Sequence, residues 1–281
     1  MISGNAKLAG VMGWPVQHSQ SPRLHGYWLA HHEIDGAYVP LPVRPENFEA
    51  AFRALPKLGF AGVNITVPHK ERALEFVDSV DPVARRIGAV NTVVVSEDGR
   101  MTGFNTDSFG FIENLRQGCP GQNPGAGPAV VLGAGGAARA VVCSLIDAGV
   151  TDLRLVNRTR GRANTLADSV TGPIRVFDFP DIDLALEGAS LLVNTTSLGM
   201  DGKPPLDISL DALPADAVVN DIVYAPLRTK LLIAADARGN PVVDGLGMLL
   251  HQARAGFDKW FGVMPEATDA LRAHVLEGMS G

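Results

Sequence analysis

The stretch VVLGAGGAARA, Val130 to Ala140, constrains the fold more than any other part of the chain. A short apolar run is followed by glycines at 133 and 135 and alanine at 138, and then by an alanine-rich segment. This is a G-x-G-x-x-A fingerprint in the context that makes it informative, directly after a strand and directly before a helix. Gly133 makes the tight turn, Gly135 lets the backbone approach a pyrophosphate, and the helix N-terminus offers free N–H groups and partial positive charge. A dinucleotide-binding Rossmann βαβ unit is predicted, with Gly133, Ala134, Gly135, Gly136 and Ala137 around the phosphates.

The next strand says which dinucleotide. An enzyme built for NAD usually carries an acid about 20 residues on, at that strand's end. Here LRLVNRTRGRA offers Asn157, Arg158, Thr159 and Arg162, and no carboxylate. A guanidinium matches a ribose 2′-phosphate bidentately, whereas an acid there would repel it. NADP is the expected cofactor.

Around this unit the pattern alternates throughout. Strand-like runs KLAGVMG, GAYVPLPV, GFAGVNITV and AVNTVVV interleave with helical patterns SPRLHGYWLAHH, PENFEAAFRALPKL, HKERALEFVD and DPVARRIG. After the helix-like DSFGFIENLRQ and the loop GCPGQNPGAGP a second series follows: AVVLG, DLRLVN, IRVFDF, SLLVNTT, AVVNDIVY and PVVDG. Strands alternating with helices mean βαβ units and largely parallel sheets, hence two α/β domains. In GLGMLLHQARAGFDKWFG, apolar residues from Leu246 to Phe261 recur at helical spacing, with Gln252 at the edge of the stripe. Such a helix can close the second domain or cross back to the first.

Composition removes several alternatives. With 281 residues, 46% hydrophobic and 19% charged, the chain can bury a substantial core. Its net charge of -6 and the lack of a basic stripe speak against a nucleic-acid partner. Cys119 and Cys143 are too far apart for a paired metal motif, the histidines lack ligand spacing, and His31 and His32 read as a solvated helix flank. The N-terminus has no basic then apolar signal pattern, and the longest apolar stretch is glycine-rich and holds Arg139. The expectation is a cytoplasmic protein, monomer or homodimer, with no metal and no membrane partner, acting on a small molecule.

In VNITVPHKE, Val63, Ile65 and Val67 alternate with Asn64 and Thr66, the period-2 pattern of a half-buried strand. Pro68 cannot donate to a sheet, so the strand ends there and leaves His69 and Lys70 at its carboxyl end, where α/β proteins bind ligands. Ser19 and Ser21 precede Pro22 and a helical pattern; Ser21 reads as an N-cap with proline at N1, and the same helix terminus is a fitting carboxylate receptor. Taken singly, Asn91 is a turn residue and Asp107 a helix cap. His18 and His69 flank these positions, with a structural hydrogen bond and proton transfer both open to them.

Together GWPVQHSQSPRLH, NITVPHK, GAVNT, GFNTDSFG, GAGGAARA, NRT, NTTSLGM, DIVYAP and DGLGMLLHQA resemble the shikimate dehydrogenase family from end to end. The resemblance implies NADP-dependent, reversible reduction of 3-dehydroshikimate to shikimate in aromatic amino-acid biosynthesis. It implies a mixed-sheet substrate domain, residues 1–107, completed by helices in 246–281, a Rossmann domain at 108–245, and an active site in the cleft between them. Ser19 and Ser21, with Tyr224 assisting, match the carboxylate ligands; Thr66, Asn91 and Gln252 match the ring-hydroxyl ligands. Lys70 and Asp107 match the catalytic pair, which also touches substrate. Thr195, Ile222, Gly245 and Met248 join the cofactor residues, the last two near the nicotinamide. One departure is Gly26 after His25, where the family usually has Asn; glycine inside a helix costs roughly 1 kcal/mol relative to alanine.

Oxidising a secondary alcohol needs a group to take the hydroxyl proton as hydride leaves carbon. Burial and a neighbouring carboxylate act oppositely on a lysine, so the residue pattern leaves open whether Lys70 alone or the Lys70/Asp107 pair is the base. Two rivals are defined: a quinate/shikimate dehydrogenase using NAD, against which the NRTRGR loop speaks, and a catalytically silent NADP-binding sensor, which has no need of the Lys70/Asp107 pair.

Overall fold

The computed structural model describes residues 2–279 and divides the chain into two compact units, one of residues up to Thr106 together with those from Leu250 onward, the other Asp107–Leu249.

The first unit runs β1 (Lys7–Gly13), α1 (Ser21–His31), β2 (Gly36–Pro42), α2 (Phe48–Ala54), β3 (Phe60–Ile65), β4 (Ser79–Val80), α3 (Pro82–Ile87), β5 (Thr92–Val95) and β6 (Met101–Phe104). The sheet order is β2-β1-β3-β5-β6-β4, and β5 alone runs antiparallel to its neighbours. Edge placement lets β2 carry Pro40 and Pro42, which have no ladder N–H to donate. One apolar cluster joins Phe48, Phe52 and Leu55 of the α2 region to Val63, Ile65 and Val93 of the sheet.

The second unit runs α4 (Asp107–Gly118), β7 (Ala129–Leu132), α5 (Gly136–Asp147), β8 (Leu153–Asn157), α6 (Arg160–Ser169), β9 (Ile174–Asp178), α7 (Ile182–Leu186), β10 (Leu191–Asn194), β11 (Val218–Asp221), α8 (Lys230–Ala237) and β12 (Val242–Val243). All six strands are parallel in the order β12-β11-β10-β7-β8-β9, the doubly wound arrangement in which the order reverses between β7 and β10. Covered on both faces, β7, β10 and β11 are buried at every residue, which is why each opens on an apolar run, followed by Asn194 in β10 and by Asn220 and Asp221 in β11. Then α9 (Leu246–Phe261) follows, with the division between units falling inside it, and α10 (Asp269–Glu277) ends the fold.

The carboxyl half of α9 and α10 seal the first unit's other face. Trp260 Nε1 donates to the Val93 carbonyl at 2.9 Å, and a Cβ at position 62 would run into both that carbonyl and the Trp260 indole, so only glycine fits, at φ +156°. Arg23 Nε on α1 donates to the His274 carbonyl of α10 at 2.6 Å, and Trp28 Nε1 to that of Glu266 at 3.2 Å.

Three local expectations need correction. β3 is not half-buried: Val63, Asn64 and Ile65 are all buried, because helices cover one face and Trp260 with its neighbours the other. HKERALEFVD forms only a 3-10 turn at Arg72–Glu75, its start taken up by the turn that holds Lys70. β4 and β6, of 2 and 4 residues, are too short to register as periodic runs. Gly26 sits on the exposed side of α1 with open space around it, so its missing side chain leaves packing untouched. Among the described residues no helix is long and apolar enough to cross a membrane.

Candidate active site

In the second unit the site is built from main chain. Gly133 leaves β7 at φ +111°, and a Cβ there would lie 2.7 Å from Thr195 Oγ1. Thr195, at the exit of β10, is drawn in by bonds from its N–H and its hydroxyl to the Leu132 carbonyl, at 2.9 and 2.6 Å. Both lie at the topological switch point, where α/β sheets open a crevice. Gly135 is the extended N-cap of α5 with no side-chain cap, and nothing lies within 4 Å of a Cβ placed at Gly135 or Gly136. The open cradle above uncapped first-turn N–H groups fits a pyrophosphate; Ala134 and Ala137 complete the turn.

At the end of β8, Asn157 Nδ2 donates to the Thr159 carbonyl at 2.8 Å and folds the loop into α6, whose first turn carries no acid. Arg160 is committed to Asp178 at 2.5 Å. Arg158, Thr159 and Arg162 stay exposed, and neither Arg158 nor Arg162 forms an ion pair among the described residues. Two uncommitted guanidiniums at this position fit a 2′-phosphate.

Asp221 ties together the loops after β10 and β11. Its carboxylate accepts from Asn194 Nδ2 at 3.0 Å, the Val223 N–H at 3.0 Å and Thr229 Oγ1 at 2.7 Å. Burial raises its pKa, and the three hydrogen bonds pull the other way. The clip sets the stems of Thr195, Ile222 and Tyr224. Tyr224 is half-buried, its hydroxyl pushed up in pKa by burial. Gly245 is buried where a Cβ would strike the Ile222 carbonyl, and Met248 lies in the first turn of α9. Asp107, buried, is the first residue of α4.

The first unit builds its site from side chains. Ser19 Oγ accepts from the Ser21 N–H at 3.3 Å. The capping expectation for Ser21 is corrected: Gln20 is the N-cap and Ser21 is already helical. Tyr38 donates to Asn64 Oδ1 at 2.6 Å, and Asn64 Nδ2 donates to the Asn91 carbonyl and to Thr92 Oγ1, each at 3.1 Å. Asn91 Oδ1 accepts from Thr92 Oγ1 at 2.9 Å and from the Thr106 N–H at 2.8 Å. Asn91 Nδ2 reaches Gln252 Oε1 at 3.4 Å, although 161 residues separate the two. The Lys70 carbonyl accepts from the Val90 N–H at 2.8 Å, which anchors Lys70 beside Asn91; Thr66 is held on β1 by its N–H to the Met12 carbonyl at 3.0 Å.

The fold thus brings Asn91 and Gln252 into one hydrogen-bonded chain, with Thr66 and Lys70 on the adjoining turn. Tyr38, Asn64, Thr92 and Thr106 complete that chain and were not singled out by sequence; their signal is a polar residue embedded in apolar strand runs. His69 is buried, its Nε2 2.7 Å from the Val43 carbonyl and its ring stacked 4.4 Å from that of Phe48, a structural setting; His18 is exposed. No group of three or more His, Cys, Asp or Glu that would hold a metal occurs among the described residues.

Fold and site define a Rossmann-type oxidoreductase scaffold joined to a second α/β unit rich in buried polar side chains. Family models match residues 11–93 (shikimate dehydrogenase substrate binding domain), 125–199 (shikimate / quinate 5-dehydrogenase) and 245–276 (shikimate 5′-dehydrogenase C-terminal domain). The chain belongs to the shikimate dehydrogenase family. It is 62% identical to the shikimate dehydrogenase (NADP(+)) of Paramagnetospirillum magneticum, over 98% of this chain and 100% of the relative. The crystal structure of shikimate 5-dehydrogenase from Thermus thermophilus in complex with NADP(H) and shikimate is 36% identical with a TM-score of 0.85, covering 98% of each chain. Quinate dehydrogenase from Corynebacterium glutamicum in complex with NAD is 32% identical with a TM-score of 0.89, covering 97% of this chain and 99% of that one.

Proposed function

We propose that this protein is an NADP-dependent shikimate dehydrogenase, reversibly reducing 3-dehydroshikimate to shikimate in aromatic amino-acid biosynthesis. The observation that carries the reading is 62% identity, over the full length, to a relative named for that NADP-linked activity; the acid-free end of β8 with Arg158 and Arg162 uncommitted agrees with it.

Bound NADP⁺ supplies the hydride acceptor in the oxidising direction. Gly133 to Ala137 receive the pyrophosphate, with Asn157, Arg158, Thr159 and Arg162 around the 2′-phosphate; Thr195 and Ile222 join the cofactor site, and Gly245 and Met248 lie near the nicotinamide. Ser19, Ser21 and Tyr224 hold the substrate carboxylate, and Thr66, Asn91 and Gln252 its ring hydroxyls. As hydride leaves the alcohol carbon, Lys70 with Asp107 takes the proton from the oxygen, and in reduction returns it. The enzyme works in the cytoplasm as a monomer or homodimer.

The rival reading, an NAD-linked quinate enzyme, draws on the Corynebacterium structure. Mixing protein, shikimate and NADP⁺ and following reduced-cofactor absorbance decides between them, with quinate and NAD⁺ as controls. Faster reduction with quinate and NAD⁺ would overturn the assignment.

A further inference from the structure

Tyr38, Asn64, Asn91, Thr92, Thr106 and Gln252 of the first unit are all buried. Two main-chain groups fix which way the asparagine amides among them are turned, because a carbonyl can only accept and an N–H can only donate. Asn64 Nδ2 is the end that meets the Asn91 carbonyl, at 3.1 Å, so Asn64 Oδ1 is the end that faces the Tyr38 hydroxyl, at 2.6 Å. Asn91 Oδ1 is the end that meets the Thr106 N–H, at 2.8 Å, so Asn91 Nδ2 is the end that reaches Thr106 Oγ1 at 3.0 Å and Gln252 Oε1 at 3.4 Å. Thr92 stands between the two amides. Its Oγ1 accepts from Asn64 Nδ2 at 3.1 Å, and of the two acceptors in reach of its own proton, Asn91 Oδ1 at 2.9 Å is nearer than Thr106 Oγ1 at 3.2 Å.

We propose that Thr92 is a positioning residue for the substrate, acting through Asn91: its hydroxyl passes the polarity of Asn64 on to Asn91 Oδ1 and holds the Asn91 amide with its N–H₂ end toward a ring hydroxyl. The inference rests on the shikimate reading given above, in which Asn91 and Gln252 hold ring hydroxyls. Thr92 has no exposed surface, so it acts through Asn91 and not by contact. Held at Oδ1 by both Thr92 and the Thr106 N–H, the Asn91 amide is set before substrate arrives, which spares the cost of ordering it on binding. Of its two N–H bonds, the one toward Gln252 is the longest of these contacts and the one open to capture by a ring oxygen. Because Asn91 meets Gln252 at Oε1, Gln252 turns its own Nε2 away from Asn91, and the same polarity passes to the second ligand. A ring oxygen therefore enters as an acceptor. A hydroxyl or a carbonyl has the lone pairs for this, and an ammonium has none.

The test compares Thr92→Val and Thr92→Ala, which lose the hydroxyl, with Thr92→Ser, which keeps it, and adds Asn91→Ala with and without Thr92→Val. Shikimate KM, NADP⁺ KM, kcat and the thermal midpoint are read for each. Valine and alanine differ in bulk and share only the missing hydroxyl, so a packing fault in one is not repeated in the other. Both are expected to raise shikimate KM roughly three- to tenfold, the worth of one neutral hydrogen bond. NADP⁺ KM should be unchanged and kcat within about twofold, as for a group that binds ground and transition states alike. Thr92→Ser is expected to keep the wild-type shikimate KM, and Thr92→Val to add nothing to the larger rise in Asn91→Ala, since Thr92 acts through that amide. Unchanged shikimate KM in both hydroxyl-free variants, whatever their thermal midpoints, would overturn the proposal, as would an equal rise in Thr92→Ser or effects that multiply in the double variant. A wild-type protein that turns over quinate and NAD⁺ but not shikimate would instead overturn the functional reading, and is seen before any variant is made.

Discussion

The two units meet the problem of holding polar groups away from water in opposite ways. In Asp107–Leu249 the cofactor cradle is backbone: a left-handed glycine, an uncapped helix terminus and a close approach at the strand switch. In the other unit the polar chain from Tyr38 through Asn64, Thr92 and Asn91 to Gln252 is side chain throughout. A backbone site needs a local motif and a strand order. A side-chain site needs several distant segments to arrive together, and each buried member left unpaired carries a desolvation cost of about 1–3 kcal/mol.

The sharpest break in this comparison is chemical. Lys70→Ala is expected to lower kcat by at least about 10²-fold, the usual scale of general acid–base catalysis, with a much smaller change in shikimate KM. Asp107→Asn should be similarly damaging and the double variant hardly worse than either, because members of one catalytic unit are non-additive. Steady-state rates at saturating NADP⁺ check this; near-normal kcat in Lys70→Ala would reduce that lysine to a binding role.

Next in size is cofactor choice. With Arg158 as the proposed phosphate ligand, Arg158→Asp removes that contact and adds repulsion, so kcat/KM with NADP⁺ should fall by roughly 10- to 100-fold, from about 1.5–3 kcal/mol per charged hydrogen bond. The value with NAD⁺ should change little. An unaltered NADP⁺/NAD⁺ ratio would remove Arg158 from the site.

The contrast itself is tested by one substitution in each unit. Asn64→Leu leaves the buried Tyr38 hydroxyl without its acceptor and should lower unfolding stability by about 1–3 kcal/mol in urea titrations. Gly135→Ala, at φ -100° with open space around it, should change stability by less than about 1 kcal/mol yet weaken NADPH binding, because its methyl enters the space a pyrophosphate needs. Equal stability losses would show that the two sites are not built on different principles.

The remaining effect is a pH dependence. Burial depresses the folded pKa of His25 from 6.5 to about 3. Below about pH 6.5 the unfolded chain therefore takes up a proton that the folded chain refuses. Stability present above 6.5 is lost as pH falls toward 3, by about 1.4 kcal/mol per pH unit. His25→Leu removes this term, so its stability advantage over wild type should widen between pH 7 and pH 5 in denaturant melts. A constant difference would mean that His25 is protonated in the folded chain.

Legibility follows the same divide. In the second unit β7 and the glycine turn are legible because a buried parallel strand is a continuous apolar run and the turn is a contiguous motif. Asn64 misled for a physical reason: polar alternation signals a solvent face, but here both faces are covered and the amide is satisfied inside the core. Ser21 reads as a helix cap because serine before proline caps many helices; the helix instead starts one residue earlier, with Gln20 at the cap and Ser21 inside it.

By itself the sequence determined the two-fold alternation of strands and helices, the dinucleotide turn and the basic end of β8, all set by residues within a few positions of one another. Through family resemblance it also pointed to the residues of the substrate half. Only the tertiary structure decided that Asn91 meets Gln252 across 161 residues, that Arg160 is committed to Asp178 while Arg158 and Arg162 are not, and that an unpaired His25 lies against Tyr38. Local propensity and short-range pattern act along the chain, whereas hydrogen-bond satisfaction and ring stacking in a core depend on which distant segments packing brings into contact.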